Sequence, residues 1–167
     1  MMNKNILTSL TIALVLVLTS CGKYEDGPFF SIRSKNARIT GEWELVKSES
    51  TIISSDGSTT TESFNGSIMT STYTSTFGNF SDSYSYSSTW EIDGDKNAVT
   101  MSTIEDGSAS TITSLWNWEN GASEKEMLNI DGDIYRILRL TNKEMVIESV
   151  YTSTGYSNSA KLTFEKK

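Results

Sequence analysis

The strongest constraint on the fold is a period of two in hydrophobicity, which begins near Thr40 and is interrupted at short intervals by turn dipeptides. From Thr40 onward, β-branched and aromatic residues alternate with polar ones, and no later stretch of twelve residues carries a convincing helical stripe. Asp-Gly pairs occur at 56–57, 106–107 and 131–132, and such pairs supply the positive φ that tight hairpin turns require. The pattern therefore predicts sequential antiparallel strands joined by short hairpins.

The predicted fold class is all-β: an antiparallel up-and-down barrel of about eight to ten strands, because closing such a meander removes its edge strands. A sandwich is the structural alternative. A short helical turn over Ser34 to Ile39, with Ser34 as its N-cap, is expected before the first strand. The predicted strands are 41–53, one or two strands in 59–76, 81–93, 98–104, 108–118, 125–131, 133–140, 143–152 and 159–165.

Composition excludes several kinds of site. The 167 residues include no histidine and one cysteine, so the chain offers no Ser-His-Asp triad, no Cys-His pair, no histidine-ligated metal and no internal disulfide. A net charge of -7 disfavours a nucleic-acid partner, which requires a basic surface. Ser and Thr together number 48 and concentrate between Ser48 and Ser88, a segment that is either a solvated, mobile hairpin or a surface facing a ligand or glycan.

The first twenty residues are typical of a targeting segment. Lys4 precedes a mostly apolar run from Ile6 to Leu18, which is shorter than the roughly 20 residues that span a bilayer. The run ends in Leu18-Thr19-Ser20-Cys21, which resembles the bacterial lipobox. That resemblance implies cleavage before Cys21 and lipidation of Cys21, whereas the alternatives are an ordinary signal peptide with a chance cysteine or a buried core helix.

The residues after Cys21 are typical of a tether. Glu25 and Asp26 follow the cysteine closely, which looks like the acidic export signal of surface lipoproteins in Bacteroidetes-type bacteria. The expected domains are a signal peptide at 1–20, a lipidated tether at 21–33 and a barrel at 34–167. The expected location is the outer membrane, anchored by lipid and facing the cell surface, with the periplasmic face as the second choice.

Two motifs resemble a known family. Gly41-x-Trp43, just after a short basic turn and at the start of the first strand, looks like the lipocalin signature, and Leu140-Thr141-Asn142-Lys143-Glu144 is similar to a hairpin of lipocalin-like lipoproteins from Bacteroidetes-type bacteria. The resemblance implies a lipocalin-like barrel whose closed end is filled by Trp43, and it does not imply an enzyme. It also implies a basic side chain from the last strand on that tryptophan, for which the candidates are Lys161, Lys166 and Lys167.

Aromatic residues on predicted strands are the candidates for ligand binding. Trp116 and Trp118 share one strand face because side chains at i and i+2 do. With Tyr84, Tyr86 and Trp90 they would line a barrel cavity or form one wall of a packed core, and barrels of this size have room for one small ligand.

Charged residues offer weaker candidates. Asp93-Gly94-Asp95 resembles the start of a calcium loop, but Ala98 and Ile104 stand where glycine and glutamate are needed, so a hairpin turn is expected. Carboxylate pairs at Glu25-Asp26, Glu105-Asp106 and Glu124/Glu126 lie in predicted turns or tether. No catalytic residue, metal or cofactor is therefore expected.

Arg136 and Arg139 are three residues apart on one predicted strand and are expected on its opposite faces. The arginine that points inward would pair with an acid such as Glu148 or recognise an anionic head group.

The leading hypothesis is a lipid-anchored, non-catalytic envelope protein that binds a small apolar or amphipathic molecule in its barrel. The alternative is a structural or interaction module that docks another envelope protein or a glycan at the cell surface. The third hypothesis is an enzyme that acts on glycans or lipids through two clustered acids. Apart from the membrane reached through the anchor, no partner is specified by the sequence.

Overall fold

The structure, a computed structural model, describes residues 34–119, 126–153 and 156–167. Cys21 and the predicted signal peptide and tether lie outside these residues. Within the described ranges, no helix is long and apolar enough to cross a membrane.

Within the described residues, ten antiparallel strands form a closed up-and-down barrel, preceded by one short helix, and this confirms the predicted fold class. Helix α1 is Lys35–Ile39. The strands are β1 Gly41–Ser54, β2 Thr59–Asn65, β3 Ile68–Ser75, β4 Gly78–Asp93, β5 Ala98–Glu105, β6 Ser108–Glu119, β7 Met127–Ile130, β8 Asp133–Leu140, β9 Glu144–Ser153 and β10 Tyr156–Lys166. Ser34 caps the helix as predicted, because its side chain accepts a hydrogen bond from the N–H of Ala37.

The barrel has two unlike ends because β1 changes partner along its length. Residues 41–44 of β1 pair with 89–92 of β4, whereas residues 47–53 pair with 59–65 of β2. Eight strands therefore close the end near α1, which we call the narrow end. At the opposite end, the wide end, the β2–β3 hairpin is inserted between β1 and β4.

The hydrophobic core is concentrated toward the narrow end. Side chains with no solvent exposure there include Ile39, Trp43, Leu140, Met145 and Phe164. In β2 and β3, by contrast, the buried residues are Phe64 and Met69. The Ser/Thr-rich segment between Ser48 and Ser88 thus forms strands at the wide end, where few of its side chains are buried.

Two of the three Asp-Gly pairs form the tight turns that the sequence predicts. Asp106 and Gly107 have φ values of 43° and 81°, and Asp131 and Gly132 have φ values of 50° and 99°. Both residues of each pair therefore have the positive φ that such a turn requires. At 56–57 the hairpin is present, but Gly57 alone has positive φ. There the carboxylate of Asp56 stabilises a four-residue loop by accepting hydrogen bonds from the N–H and hydroxyl of Ser58, at 2.9 and 2.6 Å.

The expectation that Arg136 and Arg139 lie on opposite faces is wrong. The pairing of β8 with β9 shifts register between Ile137 and Arg139, and such a bulge turns the following residues to the other face. Both arginines therefore lie on the outer face, where Arg136 pairs with Glu148 and Arg139 pairs with Glu144.

Candidate functional site

Trp43 occupies the centre of the narrow end. The indole N–H donates a hydrogen bond to the Ile39 carbonyl at 2.7 Å, and the ring is fully buried. The Lys166 Nζ lies 4.9 Å from the centroid of this ring. The same ammonium donates to the carbonyls of Thr40 and Arg38, at 2.6 and 3.1 Å. A basic side chain of the last strand is thus seated on Trp43, and it is Lys166.

Gly41 allows this arrangement because of its backbone conformation and its lack of a side chain. Its φ of 132° is one that residues with a Cβ rarely adopt. A Cβ at this position would lie 2.6 Å from Lys166 Cε. Gly41 and Trp43 therefore both lie at the narrow end of the barrel.

Helix α1 also covers the narrow end through contacts of its side chains. Arg38 is buried and donates a hydrogen bond to the Leu140 carbonyl at 2.8 Å. The Trp118 indole N–H donates to Asn36 Oδ1 at 2.5 Å, and Lys35 Nζ lies 4.4 Å from the centroid of the Trp118 ring. The barrel is therefore blocked at this end.

A cavity of about 270 Å³ lies inside the barrel, between the blocked narrow end and the wide end. Its apolar part is formed by Leu45, Met69, Trp90, Leu162 and Phe164. The Trp90 and Phe164 rings pack with their centroids 4.7 Å apart, and Leu45 lies opposite Phe164 across the β1–β10 pair. The volume is just below the roughly 300–1,000 Å³ typical of small-molecule pockets.

The upper part of the same cavity is polar. Its polar lining residues are Ser48, Ser50, Glu62, Ser88 and Asn158, and Ile52 and Ala160 line the wall beside them. Ser50 is opposite Glu62 across the β1–β2 pair, and its hydroxyl donates a hydrogen bond to Glu62 Oε2 at 3.3 Å. Asn158 Oδ1 is buried and accepts no hydrogen bond from any residue that the structure describes. The cavity is thus amphipathic, with an apolar floor and a polar upper wall.

Two tyrosines extend the aromatic wall along β4. Tyr86 lines the cavity and packs edge-on against Phe64, with ring centroids 5.5 Å apart. Tyr84 packs edge-on against Tyr86 at 6.5 Å. Burial raises the pKa of the Tyr84 hydroxyl, and the negative charge of Glu62 raises it further.

The five predicted ligand-binding residues are divided between two levels of the barrel. Trp90 and Tyr86 line the cavity, and Tyr84 lies beside Tyr86. Trp116 is buried elsewhere and donates its indole N–H to the Asp93 carbonyl at 3.2 Å, and Trp118 contacts α1. Ligand binding stays a prediction for all five, and the geometry brings Trp90 and Tyr86 to the cavity.

Sequence reasoning missed the polar residues of the cavity. The register of β1 against β10 shifts between Leu45 and Lys47, so Ser48 and Ser50 face inward although strict alternation would turn them outward. Glu62 could have been recognised, because it is the one charged residue in the sequence of β2 and β3 and shares its face with the apolar Phe64. No sequence signal indicated Asn158.

A second cavity, of about 520 Å³, lies between the β8 hairpin and the upper parts of β9 and β10. Its walls include Tyr135, Ser149, Tyr151, Tyr156 and Asn158. Asn158 also lines the interior cavity, so the two spaces adjoin at this residue. Burial raises the pKa of the Tyr135 hydroxyl, and the charge of Asp133 adds to the effect.

Asp93 and Asp106, two of the carboxylates considered for chemistry, are engaged in hydrogen bonds near turns. Asp93 accepts hydrogen bonds from the backbone N–H groups of Asp95 and Lys96, and the hydrogen bonds from Lys96 lower its pKa. Asp106 accepts from the N–H and hydroxyl of Ser85, at 2.9 and 3.0 Å. Glu25, Asp26 and Glu124 lie outside the described residues. In the described ranges, no three acidic, cysteine or histidine side chains are grouped as a metal site would require.

No protein-family model matches the chain, and no curated protein gives a significant match to it. The resemblance to lipocalin-like lipoproteins therefore stays a prediction that depends on the motifs quoted above.

Proposed function

We propose that this protein binds a small apolar or amphipathic molecule inside its barrel, without catalysis, while Cys21 anchors the chain to the outer membrane. The observation that supports binding is the cavity above Trp90, which side chains leave unfilled. A barrel whose only role was structural would be expected to pack its interior to the density of a protein core.

The asymmetry of the barrel also supports this proposal. The narrow end is blocked by Trp43 and α1, whereas the wide end is built from polar strands with few buried side chains. A ligand would enter from the wide end and stop at Trp90. The contact between the Lys166 ammonium and the Trp43 ring agrees with what the lipocalin resemblance implies, and it therefore adds support to the same function.

The anchor is inferred from the sequence around Cys21. Burial of acyl chains contributes about 0.8 kcal/mol per CH₂ group, so several chains on one cysteine would hold the protein at a membrane durably. The acidic residues Glu25 and Asp26 support exposure at the cell surface.

Filling the cavity tests the binding function. Ala160 is a half-buried residue of the cavity wall, and its neighbour Ser159 is exposed. We expect Ala160→Phe to reduce binding of 1-decanol at least tenfold by occupying the ligand's place, and Ser159→Phe to leave it unchanged. Isothermal titration of residues 21–167 carrying Cys21→Ser measures both, since no acyl chain then competes for the cavity.

Equal binding by the two variants and the unsubstituted chain would contradict the proposal. Circular dichroism and thermal melts of both variants show whether the barrel is retained, so that a loss of binding is not mistaken for a loss of fold.

A further inference from the structure

The charge of the interior cavity narrows the class of ligand. Among the residues that the structure describes, Glu62 is the one charged residue in the cavity wall, and no described lysine or arginine forms an ion pair with it. A carboxylate has about four acceptor positions, and Ser50 donates to one of its oxygens. Glu62 therefore retains acceptor capacity on the inside of the barrel.

Strand register places this carboxylate above the apolar floor. Ser48 pairs with Leu162 and with Phe64, one step along the barrel from the Leu45–Phe164 pair of the floor. Two residues further along β1, Ser50 pairs with Glu62, and two residues beyond that, Ile52 pairs with Asn158. A chain that stood on Trp90 would thus present its head group to Glu62 and then to the amide of Asn158.

Two groups in the upper wall have spare capacity to accept hydrogen bonds. The Glu62 carboxylate is an acceptor, and Asn158 Oδ1 is a buried carbonyl oxygen with no donor among the described residues. A head group that donates hydrogen bonds would satisfy both, whereas an anionic head would meet a like charge in a partly desolvated site.

We propose that the ligand is a single-chain amphiphile with a protonated amine as its head group, seated with its chain on Trp90 and its ammonium against Glu62 and Asn158. This inference rests on the proposed ligand-binding function and adds the chemistry of the head group. The ammonium offers three donors, and its positive charge complements Glu62.

A series of probes with one chain and three head groups tests the inference. Decylammonium, 1-decanol and decanoate are titrated at pH 7, below their micelle concentrations, into residues 21–167 carrying Cys21→Ser. We expect decylammonium to bind about tenfold more tightly than 1-decanol and decanoate to bind most weakly, because charge-assisted hydrogen bonds are stronger than neutral ones. The preference for the amine is expected to fall as salt is raised.

The variant Glu62→Gln keeps the shape of the side chain and removes its charge. It is expected to bring decylammonium to the affinity of 1-decanol. The matched control is Glu49→Gln, which removes the same charge from an exposed β1 residue that is paired with Lys47 on the outer face. This control is expected to retain the full preference for the amine.

The possible outcomes separate the two claims. Equal binding of the three probes, or tightest binding of decanoate, would overturn the ammonium assignment and leave the binding function standing. Binding of none of them would overturn both. If Glu62→Gln does not fold, the three probes titrated into the chain with Glu62 intact are sufficient to test the ammonium assignment.

Discussion

At the scale of single residues, Lys166 joins three parts of the narrow end. Its ammonium contacts the ring of Trp43 and the carbonyls of Arg38 and Thr40, so the last strand is tied to the helix and to the start of β1. The resemblance to lipocalins implied a basic residue of the last strand at this place and left three candidates. The choice among them depends on register, since Lys166 pairs directly with Trp43.

Replacing Lys166 should therefore weaken the fold. We expect Lys166→Met, which keeps the aliphatic stem, to lower the free energy of unfolding by about 2 kcal/mol, because charge-assisted hydrogen bonds contribute roughly 1.5–3 kcal/mol each. Urea denaturation measures this change. Lys161→Met, at an exposed site on the same strand, is the control and should change stability by less than about 0.5 kcal/mol. Equal effects of the two substitutions would show that the contacts of Lys166 are not stabilising.

Tyr135 should make stability depend on alkaline pH. Its pKa is raised above 10.0 in the folded state, mainly by burial, so folding favours the protonated hydroxyl. The corresponding stability is fully present below the unfolded pKa and is lost as pH rises through the folded pKa. We expect the unsubstituted chain to lose stability between about pH 9 and pH 11 more steeply than Tyr135→Phe does.

Chemical denaturation across this range gives the comparison, with the difference between the two proteins at pH 7 as the internal reference. A difference that stays constant from pH 7 to pH 11 would contradict the assigned pKa shift.

At the scale of elements, the sequence predicted the strands well and the faces of some residues poorly. Hydrophobic alternation and turn dipeptides placed the strands within a few residues, with one or two strands left open over 59–76, and the N-cap signal of Ser34 placed the helix, because these signals are local. The two β-bulges, in β1 after Leu45 and in β8 after Ile137, are set by pairing with distant strands, and local alternation does not reveal them. For this reason the expectation that Arg136 and Arg139 lie on opposite faces was wrong, and Ser48 and Ser50 were not recognised as cavity residues.

The β2–β3 hairpin should open more readily than the strands at the narrow end. Its buried side chains are Phe64 and Met69, whereas Trp43, Trp90 and Phe164 pack together where β1 pairs with β4 and β10. Segments with few buried apolar contacts open locally at a lower free energy. We expect backbone amides of residues 60–75 to exchange hydrogen at least tenfold faster than those of residues 42–45 and 89–92, as measured by mass spectrometry. Uniform exchange along the chain would contradict this division of the barrel.

At the scale of the whole molecule, the barrel combines a blocked end with a more polar, wider end. The fold as a class followed from the sequence, since sequential hairpins favour a closed meander. The cavity could not be predicted from the sequence, because its volume depends on how side chains from β1, β4 and β10 meet. Those strands are far apart in sequence. Two of the predicted aromatic residues, Tyr86 and Trp90, line the cavity, and the carboxylate that gives it its charge was found from the structure.

The most direct test of ligand binding inside the barrel is a measurement of where 1-decanol binds. In a protein labelled at methyl groups, nuclear Overhauser effects report which methyl groups lie within a few ångströms of the bound alcohol. If the alcohol binds inside the barrel, we expect contacts to the methyl groups of Leu45, Met69 and Leu162, which line the cavity. Contacts confined to exposed methyl groups, such as those of Ile104 and Leu115, would contradict it.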